Sequence, residues 1–571
     1  MRTTRARSIV VYILAAVFAA GLGFFVLKTF LHGSDWAVSP INQHINTDSG
    51  ELASAGKVLD RDGEILAQSL DGQRVYSADS LIRQAMLQTV GDNTWAISTA
   101  VQNTRRSDLI GYNFITGISA NTAFGTGNNL TLTLDSGLCA EALSLMGDRD
   151  GAVVISNYVT GEILCMVSTP TYDPENRPDI ENDETGQYDG VFLNKVLSAS
   201  MTPGSTFKII TCAAAIDNIP DINERVFTCS GEIEVDGEKI TCMASHGQIG
   251  FEEGMSQSCN IVFAELAMEL GKDKMTEEAE KMGFGSSFTI DGVPTLASSY
   301  DVSKAETRDL GWSGIGQYTD LVNPMHLNIL MGAIANGGVY VTPYYIDSIK
   351  TPFGLPTYVG YGTPGERLLK AETADRKDIM RYTVETNYGD SMFPGLTVCA
   401  KTGTGEIGED KNPNGWMTGF TLDSDCPLAF TIVVENSGFG MAQAGPIAQQ
   451  LLQSAAVIVR GNSRKPGAGA SAGRLQESGP AATGKANPCI GLRLFSGESC
   501  CQSGKFMLNC FAKRSGPEKT ASAPASRGPS GHCRCGVPSK THGARPFQHG
   551  KLSDHRRQSG CHWAFGSDKR G

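Results

Sequence analysis

Pro203-Gly204-Ser205-Thr206-Phe207-Lys208 is the stretch on which the reading of this chain turns. A serine stands three residues before a lysine. Residues i and i+3 share a helix face, so a helix starting near Ser205 brings the Lys208 amine close to the Ser205 hydroxyl. A hydroxyl is a poor nucleophile until a neighbouring base takes its proton. Lysine can be that base when burial or another cation lowers its pKa. Alone, the tetrapeptide reads equally as a helix start with a solvated lysine. Two later stretches change that: Ser258-Cys259-Asn260 follows Ser205 by 53 residues, and Lys401-Thr402-Gly403-Thr404 follows Ser258 by 143. Each has its own plain reading, the first as a helix cap and the second as a strand-terminal turn.

The ordered trio S-x-x-K, S-x-N, K-T-G is the signature of penicillin-binding proteins and class A β-lactamases. From about residue 130 to 460 the chain resembles the transpeptidase domain of the monofunctional, class B-like penicillin-binding proteins. The landmarks include Gly151-Ala152-Val153-Val154, Thr160-Gly161-Glu162-Ile163, Tyr172-Asp173-Pro174, His246-Gly247, Gly314-Ile315-Gly316-Gln317, Ala335-Asn336-Gly337-Gly338 and Trp416. Upstream, Lys57-Val58-Leu59-Asp60-Arg61-Asp62-Gly63 looks like the segment that follows the membrane anchor in such proteins.

Charge divides the chain. From Ser463 onward there are 18 Lys+Arg and 5 Asp+Glu of the chain's 48 and 60, so the body before it is strongly acidic. An acidic body gives no reason to expect nucleic-acid binding. Ile9 to Leu27 is free of charge and would span about 28 Å as a helix, near the thickness of a bilayer's hydrocarbon core. Arg2, Arg5 and Arg7 precede it and favour a cytoplasmic N-terminus. The rival is a cleaved signal peptide; the apolar run continues through Phe24-Phe25-Val26-Leu27 without a small-x-small site, which favours a retained anchor over residues 8–28. Fifteen cysteines are present. Those of the body form no C-x-x-C pair and have no histidine partners at zinc spacing, so no metal site is expected.

The expected organisation is a cytoplasmic tip and anchor at 1–31, an N-terminal pedestal domain at 32–128, a penicillin-binding transpeptidase domain at 129–462 and a basic tail at 463–571. The tail is rich in Gly, Ser, Pro, Arg and Cys and lacks periodic apolar residues. Of three readings, a disordered extension, a cysteine-rich metal module or non-native sequence, the poor zinc spacing of Cys500-Cys501 and Cys533-Arg534-Cys535 disfavours the second, and the abrupt change of composition and charge favours the third. In the body, Asp135-Ser136 predicts a helix ending at Gly147, and apolar runs flanking Tyr158–Gly161 predict a hairpin. Helices are expected from Ser205 to Ile216, Cys259 to Leu270 and Ala442 to Ile458. Strands are expected at Thr397–Lys401, Trp416–Thr421 and Ala429–Val434. Central helices with strands at both ends imply an α+β domain, an antiparallel sheet packed on helices, as in the β-lactamase/transpeptidase-like fold.

The resemblance implies roles. Ser205 is the nucleophile and Lys208 its base, with Lys401 depressing the Lys208 pKa. Ser258 shuttles a proton and Asn260 holds the substrate's peptide. Lys401, Thr402 and Thr404 attract a terminal carboxylate, and Gly403 leaves room for a substrate strand. The N–H groups of Ser205 and Thr404 form an oxyanion hole. The implied activity is peptidoglycan D,D-transpeptidation through a serine acyl-enzyme that β-lactams also form. No metal or organic cofactor is implied. Stem peptides, β-lactams and the membrane are partners, and a glycosyltransferase with elongation or division machinery is an open one. The catalytic domain would lie on the extracytoplasmic face. Rivals are a D,D-carboxypeptidase, a serine β-lactamase and a non-catalytic scaffold of the division machinery. The β-lactamase reading lacks an E-x-x-x-N between Ser258 and Lys401.

Overall fold

The predicted hairpin forms from two apolar, β-branched runs. Strands β1 (Gly151–Asn157) and β2 (Ile163–Thr169) pair antiparallel around the Tyr158–Gly161 turn. Later strands β3 (Val398–Gly405), β4 (Asn414–Thr421) and β5 (Leu428–Val434) complete a sheet in the order β3-β4-β5-β1-β2, antiparallel throughout. Every residue of β1, β2, β4 and β5 is buried. Successive side chains on a strand face opposite ways, so both faces of this sheet are covered. The chain description comes from a computed structural model and covers residues 2–37, 52–113, 118–119, 126–408 and 410–462. The tail from 463, with its three readings, and parts of the 32–128 segment lie outside the described residues.

Helices supply the covering layers. The N-terminal helix α1 (Arg2–Ala37) contains a span, Arg7–Thr29, with mean hydropathy 2.6 and no part buried, long and apolar enough to cross a membrane. Helix α2 (Ser136–Met146) starts where predicted, because the Asp135 carboxylate accepts the Leu138 N–H at 2.9 Å, and stops at Gly147 with φ 59°. Helix α3 (Lys208–Asn218) begins later than the predicted Ser205. Gly204, at φ 53°, opens a separate 3₁₀ turn, Gly204–Thr206, and the α-helix starts at the lysine. Helix α4 (Asn260–Lys281) is two helical segments broken at Gly271 (φ 75°), and the first ends at Leu270, where predicted. Helix α5 (Pro324–Ala335) packs on β1, β4 and β5. Helix α6 (Gly445–Asn462) packs on α2 and β5. It tolerates Pro446 because N–H groups in a first turn have no intrahelical partner.

Upstream of the transpeptidase region, Val58–Leu59, Ile65–Leu70 and Gln73–Tyr76 share one six-stranded sheet with Asn129–Leu132, Ile346–Lys350 and Pro356–Val359. The line drawn at 128/129 therefore runs through a common sheet. Buried Asp60 is a joint of this region. One carboxylate oxygen accepts the N–H groups of Asp62 and Glu64 at 3.0 and 2.8 Å; the other accepts the Ser136 hydroxyl at 2.6 Å and, more loosely, its N–H at 3.3 Å. The first strand turn is thus tied to the start of α2. Asp60→Ala strips the partner from the buried Ser136 hydroxyl and N–H, each worth roughly 1–3 kcal/mol, and from the part-buried N–H groups of Asp62 and Glu64. Urea unfolding should show a loss of about 3 kcal/mol.

Candidate active site

Ser205 sits half-buried on the 3₁₀ turn that precedes α3, at the wall of a cleft of about 340 Å³. Glycines fix the turn's place. A Cβ on Gly204 would lie 2.2 Å from the Thr404 carbonyl oxygen, and one on Gly316 would lie 2.0 Å from the Gly204 oxygen. Across the same seam, a Cβ on Gly405 would lie 2.1 Å from the Thr202 oxygen. The Gly204 N–H donates to the Gly316 carbonyl at 2.9 Å, and Trp416 Nε1 donates to the Thr202 carbonyl at 2.9 Å. Backbone therefore meets backbone where the serine-bearing turn touches β3. Gly403 belongs to this seam. A Cβ there would lie 2.5 Å from the Pro203 carbonyl oxygen and 2.8 Å from the Thr206 methyl, so the bare position makes room for the serine-bearing turn.

Both motif lysines are fully buried and converge on Ser258. Lys208 Nζ donates to the Ser258 carbonyl at 2.6 Å, to Ser258 Oγ at 3.1 Å and to Asn260 Oδ1 at 2.8 Å. Lys401 Nζ donates to the same Ser258 Oγ at 2.8 Å and to the Thr402 carbonyl at 3.0 Å. Among the described residues no carboxylate pairs with either amine. Burial thus lowers Lys208 to about 7, and it lowers Lys401 well below its ordinary range, with the Lys208 charge adding to the effect. The helix-cap reading of Ser258 fails. Cys259 takes the N-cap position of α4 without a side-chain capping bond, while Ser258 is held at φ 54° with its hydroxyl on the lysines. Such a conformation costs a serine roughly 1–3 kcal/mol.

Strand β3, which carries the K-T-G stretch, is a sheet edge. The Thr402 N–H points off the sheet and donates to Tyr388 OH at 2.9 Å, and that hydroxyl also bonds Thr402 Oγ1 at 3.0 Å. Backbone groups on a strand alternate, so the Thr404 N–H points the same way, towards Ser205's turn. Gln317 Nε2 reaches the Thr404 carbonyl at 3.3 Å. The structure thus gathers Ser205, Lys208, Ser258, Asn260, Lys401, Thr402, Gly403 and Thr404 around one cleft. Tyr388 was not singled out from the sequence. It ends a π-helical turn, Val384–Tyr388, and no motif spacing marks it.

The cysteines stand differently in the fold than along the chain. Read along the chain they have no histidine partner; in the fold, Cys229, Cys242, His246 and Cys259 bring their ligand atoms within 4.8 Å of one another. Spacing missed the set because a strand, a loop and a helix start contribute to it.

Residues 151–453 match the family model described as penicillin binding protein transpeptidase domain. The chain belongs to the penicillin-binding-protein transpeptidase family. It is homologous to class B members. The peptidoglycan D,D-transpeptidase PbpA of Mycobacterium tuberculosis is 27% identical over 341 residues, which cover 54% of this chain and 67% of that one. Stage V sporulation protein D of Bacillus subtilis is 28% identical over 326 residues, covering 53% and 49%. Among solved structures, the ceftriaxone acyl-enzyme complex of penicillin-binding protein A from M. tuberculosis superposes with a TM-score of 0.63 at 25% identity, covering 71% of this chain and 99% of that one. The D,D-transpeptidase domain of a peptidoglycan glycosyltransferase from Eggerthella lenta gives 0.63 at 26%, covering 72% and 100%. The α+β fold expected of a penicillin-binding transpeptidase is the fold found.

The seam predicts a sharp test. Gly403→Ala would push β3 off the turn that carries Ser205, and a displacement of about 1 Å in such a site can cost 100-fold in rate. Acylation by a β-lactam, followed by stopped-flow fluorescence, should fall by about that factor.

Proposed function

We propose that this protein is a peptidoglycan D,D-transpeptidase that works through an acyl-enzyme on Ser205. The observation that carries the reading is the convergence of two buried lysines on Ser258 Oγ beside the turn that presents Ser205. Neutral Lys208 takes the Ser205 proton as Oγ attacks the carbonyl between the two terminal D-Ala residues of a stem peptide. The N–H groups of Ser205 and Thr404 receive the developing oxyanion; one such donor is worth about 3 kcal/mol in the transition state. The tetrahedral intermediate expels D-Ala, whose nitrogen takes a proton relayed from Lys208 through Ser258 Oγ, a hydroxyl able to donate and accept. A second stem's amine then attacks the ester, releases Ser205 and leaves the cross-link. Asn260 and β3 hold the donor peptide, with Lys401, Thr402 and Thr404 near its terminal carboxylate. The same steps, stopped at the ester, describe acylation by a β-lactam.

The setting we infer is a single-pass anchor within residues 8–28, a cytoplasmic N-terminus and a catalytic domain on the outer face. A pedestal at 32–128 would hold that domain off the membrane, and a glycosyltransferase would supply its glycan strands.

Fluorescent penicillin tests the reading on the full chain in detergent. Stable label on the parent and none on Ser205→Ala is the expected result. Label that forms and then vanishes within minutes would instead indicate a β-lactamase. Folded parent protein that takes no label would leave a non-catalytic scaffold.

The pH profile is a second check. Lys208 acts as a base only when neutral, and its pKa lies at about 7. Acylation should therefore rise about tenfold per pH unit below 7 and level off above it. A profile flat from pH 5.5 to 8.5 would exclude Lys208 as the base.

A further inference from the structure

Beside the catalytic cleft lies a cluster with no part in the acyl-transfer chemistry. Cys229 ends the strand Val226–Cys229, Cys242 and His246 come from the loop that leads into the strand Gly247–Gly250, and Cys259 caps α4. Their four ligand atoms lie within 4.8 Å of one another. Cys242 Sγ is 3.9 Å from Cys259 Sγ and 3.7 Å from His246 Nδ1. A tetrahedral ion with zinc–sulfur and zinc–nitrogen bonds of about 2.3 and 2.1 Å would set those separations near 3.8 and 3.6 Å. Three cysteines and one histidine are a known closed ligand set for structural zinc. A supporting shell is present too, since the Asn260 N–H donates to Cys242 Sγ at 3.3 Å. A Cys242–Cys259 disulfide is the competing use of the same atoms, but it leaves Cys229 and His246 idle.

We propose that Cys229, Cys242, His246 and Cys259 bind one structural zinc ion, which holds the Ser258-Cys259-Asn260 segment in its working position. The geometry ties the two sites through the main chain. Cys259 stands between Ser258 and Asn260, the residues that engage Lys208. Ser258 keeps a left-handed backbone at φ 54°, a conformation that needs support from its neighbours. On the cleft side, Thr241, Cys242 and Met243 line the wall, and Asn260 Nδ2 donates to the Thr241 carbonyl at 2.9 Å. A metal on Cys242 and Cys259 would cross-link that wall to the start of α4. The ion touches no reacting atom here; its ligands are positioning residues.

Metal content and acylation test the two halves separately; the acylation half rests on the function proposed above. The full-length protein, purified in detergent without added metal, should carry one zinc per chain by mass spectrometry of the metal. Cobalt put in its place should give thiolate-to-cobalt charge-transfer bands and the visible bands of a tetrahedral ion. His246→Cys should keep the metal and strengthen the charge-transfer band, a change that mere structural tolerance would not produce. Stripping with a chelator should slow penicillin labelling of Ser205 at least tenfold at unchanged helix content, and zinc should restore it. A metal-free chain that is two hydrogens light, with Cys242 linked to Cys259, would overturn the zinc assignment. Equal labelling of loaded and stripped protein would overturn the positioning role. Absent labelling in both, with one zinc bound, would overturn the transpeptidase reading and leave the metal site standing.

Discussion

The site depends on a seam in which one stretch of backbone lies directly on another. The turn bearing Ser205 meets β3 at Gly204, Gly403 and Gly405, and meets the loop at Gly316, with no room for a Cβ at any of the four. Side-chain contacts can relax by changing rotamer; contacts between main chains cannot. The seam therefore sets the distance between the serine and the edge strand within narrow limits. It also explains why the turn is 3₁₀ and left-handed at its start rather than a first turn of α3. The Gly204 conformation aims the chain into the seam before the helix takes over at Lys208.

Around that fixed contact the protein keeps two lysines out of water without a carboxylate partner among the described residues. In most settings an unpaired buried ammonium is a defect. Here the lack of a counter-charge is what makes an amine available as a base near neutrality, and the hydrogen bonds to Ser258 and Asn260 replace part of the lost solvation. The Lys208 charge lowers Lys401 further, whereas Lys208 itself is lowered by burial and not, as expected, by Lys401. Ser258 is the shared partner, and its left-handed backbone lets both its carbonyl and its hydroxyl face Lys208. An anionic substrate end arriving at β3 would meet two cation-forming groups set in a dry wall, where their interaction is stronger than in water.

The 58–76 strands share one sheet with Asn129–Leu132 and Ile346–Lys350. Shared strands and the Asp60 joint make that region continuous with the sheet strands and helix start at 129–136.

The sequence by itself determined the family, the eight motif residues, the hairpin, the start of α2 and the strands that flank the K-T-G stretch. These are local signals: a fixed spacing, a capping aspartate, an apolar run of the right length. They are legible because a short segment carries all of each signal. The tertiary structure alone decided what required distant segments to meet. Tyr388 reaches β3 from a π-helical turn. Gly403 turns its bare face to the Pro203 carbonyl. Cys229, Cys242, His246 and Cys259 gather from three elements. Chain spacing encodes neighbours along a helix or strand, and it holds no record of which side chains a fold will bring within a few ångströms.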